Sequence, residues 1–225
     1  MQCLNAMTIF VGLEAFPEVG NLCDKAVDAI AANIKTGKVM KVRWNACYAA
    51  GGVLKTTNTT ICSKNSRVEL LNALIPVLEG CPNYKVRINA ALALTSVADR
   101  ETFGDKFATA TVAILKAMET AVSNVEDTEE IQHRTDLIDQ LCTTYATLMS
   151  LTLVTDMSEL EPQVMEYTDL LQETMRSALL RISPEKTDIF VEANRHLGQL
   201  MTSVEGNGKS SGVQIYPLGL MDLII

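Results

Sequence analysis

The chain reads as an all-α protein built from stacked helical hairpins, and three observations predict that fold. The segment KVRWNACYAA at Lys41–Ala50 recurs as KVRINAALAL at Lys85–Leu94, 44 positions on, with six of ten residues identical. A weaker copy lies 40 positions upstream, where CLNAM at Cys3–Met7 keeps the same Asn and Ala as Asn5 and Ala6. Self-similarity at a period of roughly 40 to 47 residues, carried by helix-forming segments, marks an array of paired helices. The composition agrees: 48% apolar residues, 5% aromatic and six prolines in 225 residues suit helices in close contact.

The elements follow in order. Met1–Leu13 reads as the second helix of a hairpin, giving a half repeat over 1–15. Pro17 and Gly20 punctuate a loop, after which Asn21 or Asp24 is placed to cap a helix carrying Leu22, Ala26, Ala29, Ile30 and Ile34 at helical spacing. Thr36-Gly37-Lys38 breaks it, and Val39–Lys55 completes a repeat over about 20–56, its helix expected to be interrupted and weakened by Gly51-Gly52. The next repeat, 65–99, pairs Ser66–Glu79 (Val68, Leu71, Leu74, Ile75, Leu78), ended by Gly80-Cys81-Pro82, with Tyr84–Ala98. A third, 105–153, pairs Phe107–Val122 with Glu129–Leu153 across the acidic linker Glu126–Glu130. A fourth, 157–203, pairs Ser158–Arg181 with Pro184–Ser203. Pro162 is expected in the first turn of its helix, or to delay that helix by a few residues. Ser183 is expected as a cap before a first-turn Pro184. Residues 1–203 thus form one repeat domain, and 204–225 form a flexible or divergent tail containing GNGKSSG.

The repeated helix explains the choice of residues. At 100° per residue Val42, Ala46, Ala49, Ala50 and Val53 share one face, as do Val86, Ala90, Ala93, Leu94 and Val97 in the copy. Alanine there lets helix axes approach to about 8 Å. Val42, Asn45, Ala46, Val86, Asn89 and Ala90 are therefore the expected stacking residues. The asparagines, with Asn5 in the weak copy, are read as a hydrogen-bond ladder between repeats, or else as partner-binding groups.

The pattern Val-Arg-x-Asn-Ala, at Val42–Ala46 and Val86–Ala90, resembles the HEAT repeat family. The resemblance spans 1–203, strong in two copies and weaker in the others. It implies a right-handed α-α superhelix of the HEAT/armadillo-type solenoid, a role in binding other proteins, and no catalytic activity. The family pattern places an Asp in the turn before Val-Arg, to pair with the Arg of an adjacent repeat. Here Lys38–Lys41 and Asn83–Lys85 fill those turns.

Catalytic chemistry has little material. His133 and His196 fall on separate helices, and no HExxH, GxSxG or Cys/His ligand cluster occurs. GNGKSS lacks the Gly five residues before its Gly-Lys pair that a phosphate loop needs, because position 203 is Ser. Glu126, Asp127, Glu129 and Glu130 lack calcium-loop spacing. The expectation is no enzyme, no cofactor, no metal and no small-molecule substrate.

The strongest surface candidate is the row Trp44, Tyr48, Ile88 and Leu92, opposite the Val/Ala stripe and beside Lys41, Arg43, Lys85 and Arg87. It either packs on another helix or lines an open face; in the open case Trp44 and Tyr48 suit an acidic partner with spaced apolar side chains. A scaffold for other proteins is the leading reading, and a transport-receptor-like adaptor binding peptide segments of cargo is the alternative.

Charge bears on partners. Residues 1–100 hold 11 basic against 7 acidic side chains, and 101–225 hold 8 against 20, for a net −8 overall. The acidic balance argues against nucleic acid. No apolar run approaches the roughly 20 residues that span a bilayer. Six cysteines without CxxC spacing or a secretory signal place the chain in the cytoplasm, the nucleus or both. The half repeat at the start is expected to expose an apolar edge and drive self-association.

Overall fold

The computed structural model describes residues 19–56, 62–124 and 130–206. The half repeat over 1–15 with its Asn5, the acidic residues 126–129 and the tail beyond 206 lie outside them. The fold is all-helical, 86% helix and without strands among the described residues. It divides into two compact units between Lys106 and Phe107.

In unit 1, α1 (Val19–Thr36) and α2 (Met40–Leu54) form one antiparallel pair, and α3 (Lys64–Gly80) and α4 (Tyr84–Thr95) the next. The short α5 (Arg100–Phe103) and a 3-10 turn, Gly104–Lys106, close the unit. Each pair is internally packed, α1 lies on α3, and α2 lies on α4. First helices thus stack on first helices and second on second, which buries one side of each hairpin against its neighbour.

The caps explain the boundaries. Gly37 ends α1 because a Cβ there would lie 2.5 Å from the Asn33 carbonyl oxygen and 2.9 Å from Arg43 Cγ. Ser63 caps α3, its Oγ accepting from Ser66 N–H at 3.1 Å, and Asn83 caps α4, its Oδ1 accepting from Val86 N–H at 3.1 Å. Asp99 does the same for α5 through Thr102 N–H at 2.8 Å.

Asp24 departs from its expected role. It lies inside α1 instead of capping it, because the helix already starts at Val19, and its Oδ1 accepts from Ser66 Oγ at 2.5 Å. Asn21, the other expected cap, is likewise within the helix. Gly51-Gly52 does not interrupt α2, which runs on to Leu54.

In unit 2, α6 (Phe107–Ser123) pairs with α7 (Ile131–Leu151). The expected first helix of the fourth pair is two helices, α8 (Val154–Met165) and α9 (Thr168–Leu179), and its partner is α10 (Pro184–Gly206). α8 packs on α6, while α9 and α10 both pack on α7. With neighbours on several sides, α7 buries Leu137, Leu141, Cys142, Tyr145, Leu148 and Met149 completely. Its buried Thr144 donates to the Gln140 carbonyl at 2.8 Å, so the polar side chain adds no unpaired hydroxyl to the interior.

Pro162 corrects the sequence reading: it is the ninth residue of α8, not part of the first turn. The helix starts earlier because Asp156 Oδ2 accepts from Leu153 N–H at 2.9 Å. Pro184, by contrast, is the first residue of α10, directly after Ser183, as expected.

Candidate functional site

The candidate row spans α2 and α4, the two second helices of unit 1. Their seam is defined by Gly51: a Cβ there would lie 3.1 Å from Ala93 Cα, so the backbones meet almost without side chains between them. Ala93 shares a face with Val86 and Ala90, both fully buried. On α2, Ala46 is buried as well, but Val42 is 43% exposed. Val42 lies about 180° around α2 from Gly51, on the side away from α4, and this explains why it is open while its copy Val86 is enclosed.

The row itself divides. Tyr48 is 60% exposed and Leu92 38%, whereas Trp44 and Ile88 are half-buried. Lys85 Nζ sits 5.6 Å from the centroid of the Trp44 ring, a cation–π contact that ties the two hairpins on the outward side. Lys41 is exposed, and so is Lys85. The aromatic, the two lysines and the outer Tyr48 and Leu92 therefore share one accessible strip.

Two arginines leave that strip. Arg87 is 5% exposed and its Nε donates to the Leu78 carbonyl at 2.7 Å, in the last turn of α3. Arg43, half-buried, donates its Nε to the Ile34 carbonyl at 3.0 Å in the last turn of α1. Both span nine residues, and both bring a cation to the negative end of the preceding helix. Burial depresses the Arg87 pKa, and the neighbouring Tyr84 and Cys81 offset this in part. Arg87 is thus withdrawn from the candidate surface, since it is buried and its Nε–H is spent on the Leu78 carbonyl of α3.

The same device occurs in unit 2, which the repeat comparison missed. Arg134 is the fourth residue of α7, as Arg43 is of α2 and Arg87 of α4, and its Nη1 donates to the Asn124 carbonyl just past α6. Asp136 follows it by two, in the place of Asn45 and Asn89. The signal was an Arg-x-Asn/Asp pair at the start of each second helix, hidden because the flanking residues differ.

The asparagine ladder takes another form. Asn89 donates to the Lys85 carbonyl at 2.8 Å in its own helix, and Asn45 is exposed. Among the described residues these side chains do not join one repeat to the next.

No chemical centre accompanies the strip. No group of three or more His, Cys, Asp or Glu side chains placed to hold a metal ion occurs among the described residues. His196 Nε2 lies 2.7 Å from the Thr152 carbonyl oxygen, joining α10 to the end of α7, and His133 Nδ1 lies 3.9 Å from Asp136 Oδ2. No described helix is long and apolar enough to cross a membrane.

No protein-family model matches the chain, and no solved structure matches it. A putative uncharacterized protein of Dictyostelium discoideum is 27% identical over 165 residues, covering 67% of this chain and 11% of that protein. The chain therefore spans about a tenth of the length of this relative.

Proposed function

We propose that this chain is a noncatalytic protein-interaction scaffold of HEAT type, its hairpins stacked as a right-handed α-α superhelix. Support comes from the stacking of first on first and second on second helices in unit 1, and from the arginine that recurs at the fourth position of three second helices. The segments Cys23–Lys55 and Asn83–Leu94 also resemble the C-terminal region of HEAT repeat-containing protein 6.

The observation that carries the reading is the open strip Lys41, Trp44, Tyr48, Lys85 and Leu92. Exposed aromatic and aliphatic groups beside lysines fit an acidic segment with spaced apolar side chains, which gains burial at Tyr48 and Leu92 and charge pairing at the lysines. The Lys85 ammonium already stands over the Trp44 ring, the place a basic peptide would use, so the strip favours an acidic partner over a basic cargo signal. The test is capture of associated proteins by the full chain and by Tyr48→Ser, Leu92→Asp and Lys85→Glu variants. A partner that is lost from all three and weakened by salt supports the reading. Retention of every partner by all three variants rejects it.

A further inference from the structure

A second feature, independent of the interaction strip, lies where α1 meets the start of α3. Asp24 Oδ1 accepts from Ser66 Oγ at 2.5 Å and from Ser63 Oγ at 3.4 Å. Cys23 immediately precedes Asp24, and Cys62 immediately precedes Ser63. These bonds tie α1 to the start of α3 and so bring the neighbouring positions, Cys23 and Cys62, to one seam. Cys23 is half-buried and reachable from solvent, while Cys62 is 1% exposed.

Arg67 completes the cluster. It is 5% exposed, its Nη1 donates to Thr102 Oγ1 at 3.4 Å, and its Nε and Nη2 are enclosed without a hydrogen-bond partner. A buried guanidinium short of partners favours an anion beside it. The group beside it that can become one is the Cys62 sulfur.

We propose that Cys23 and Cys62 form a peroxide-oxidised pair that closes into a disulfide between α1 and the start of α3. The Cys23 thiolate attacks the peroxide, forming an S–O bond and breaking the O–O bond; the departing hydroxide takes up a proton as water. Cys62, its thiolate paired with Arg67, then attacks the Cys23 sulfenic sulfur. The S–S bond forms, the S–O bond breaks, and the second hydroxide leaves as water with the proton from Cys62. Two thiols lose two electrons, and one peroxide becomes two waters. Burial holds both thiols above their ordinary pKa, Arg67 lowering Cys62 only in part, so the reaction is slow and needs excess oxidant. Cys47 lies within electrostatic reach of Cys81, but both are buried, and that pair stays reduced.

The experiment treats the full chain with excess hydrogen peroxide, blocks free thiols, and maps the non-reduced digest by mass spectrometry. The expected product is an intramolecular Cys23–Cys62 linked peptide that dithiothreitol reverses, with Cys47 and Cys142 unmodified. Cys23→Ser should abolish the link and leave Cys62 free while keeping the helical circular dichroism of the parent. Over-oxidation of Cys23 with Cys62 still free overturns the proposal, as does a link from Cys23 to Cys3 in its place. A link found only between chains overturns it as well.

Discussion

Arg87 donates its Nε–H to the Leu78 carbonyl at 2.7 Å, closing the end of the helix that precedes its own. The bond is made by a charged donor in a buried site, where its loss leaves a carbonyl without a partner and a space where the side chain stood. Arg87→Ala should lower the stability of unit 1 by about 2 kcal/mol, within the range for hydrogen bonds to charged groups. Arg43→Ala, at a half-exposed site, should cost about 1 kcal/mol. Urea unfolding of both variants checks this, and equal losses would show that burial does not set the difference.

Gly51 and Gly80 should respond oppositely to alanine. At Gly51 a Cβ meets Ala93 Cα at 3.1 Å, with Ala93 Cβ and Ser96 Oγ at 3.4 Å, so α2 and α4 must separate. Overpacking of this kind costs about 1–3 kcal/mol, more than the gain of up to about 1 kcal/mol in helix propensity. At Gly80 nothing lies within 4 Å, and alanine should stabilise by about 0.5 kcal/mol. Thermal midpoints moving the same way in both variants would contradict the geometry.

Tyr145 is fully buried in α7 and its hydroxyl has no hydrogen-bond partner. The ring contributes apolar burial while the hydroxyl contributes only desolvation. Tyr145→Phe should therefore raise stability by about 1 kcal/mol, whereas Tyr145→Ala should lower it by about 3–5 kcal/mol. A destabilised phenylalanine variant would mean the hydroxyl is satisfied in solution.

Cys47 makes stability fall in alkali. Burial is the main cause that pushes its thiol from the ordinary 9.0 up to about 12, with Arg43 pulling it down in part. The folded state therefore holds the proton more tightly than the unfolded state. The contribution is complete below pH 9.0 and is lost as pH rises toward about 12. Cys47→Ala should flatten this part of the stability profile relative to the parent, as read by urea midpoints across that window.

The elements most legible in the sequence were those whose limits have a local cause. Gly37 and the Gly80-Cys81-Pro82 run end helices through backbone chemistry, and the Val86, Ala90 and Ala93 stripe needs only helical periodicity to be read as a contact face. The break at Glu166–Tyr167 carries no Gly or Pro, and tertiary packing divides α8 from α9 with no residue to mark it. Pro162 misled in the other direction, because Asp156 starts the helix upstream of it. In the candidate strip, the exposure of Tyr48 and Leu92 follows from their side of the helix. The inward turn of Arg87 does not: it answers carbonyls of a different helix, which a view of one helix at a time leaves out.

The joint between α8 and α9 has a practical consequence for handling the molecule. Glu166 is exposed there, and the two segments are held by different neighbours, α8 by α6 and α9 by α7. Extra residues at this elbow would lengthen a connection without pulling either segment off its support. A short epitope tag or a labelling loop can be threaded through unit 2 at this point, giving an internal reporter of that unit.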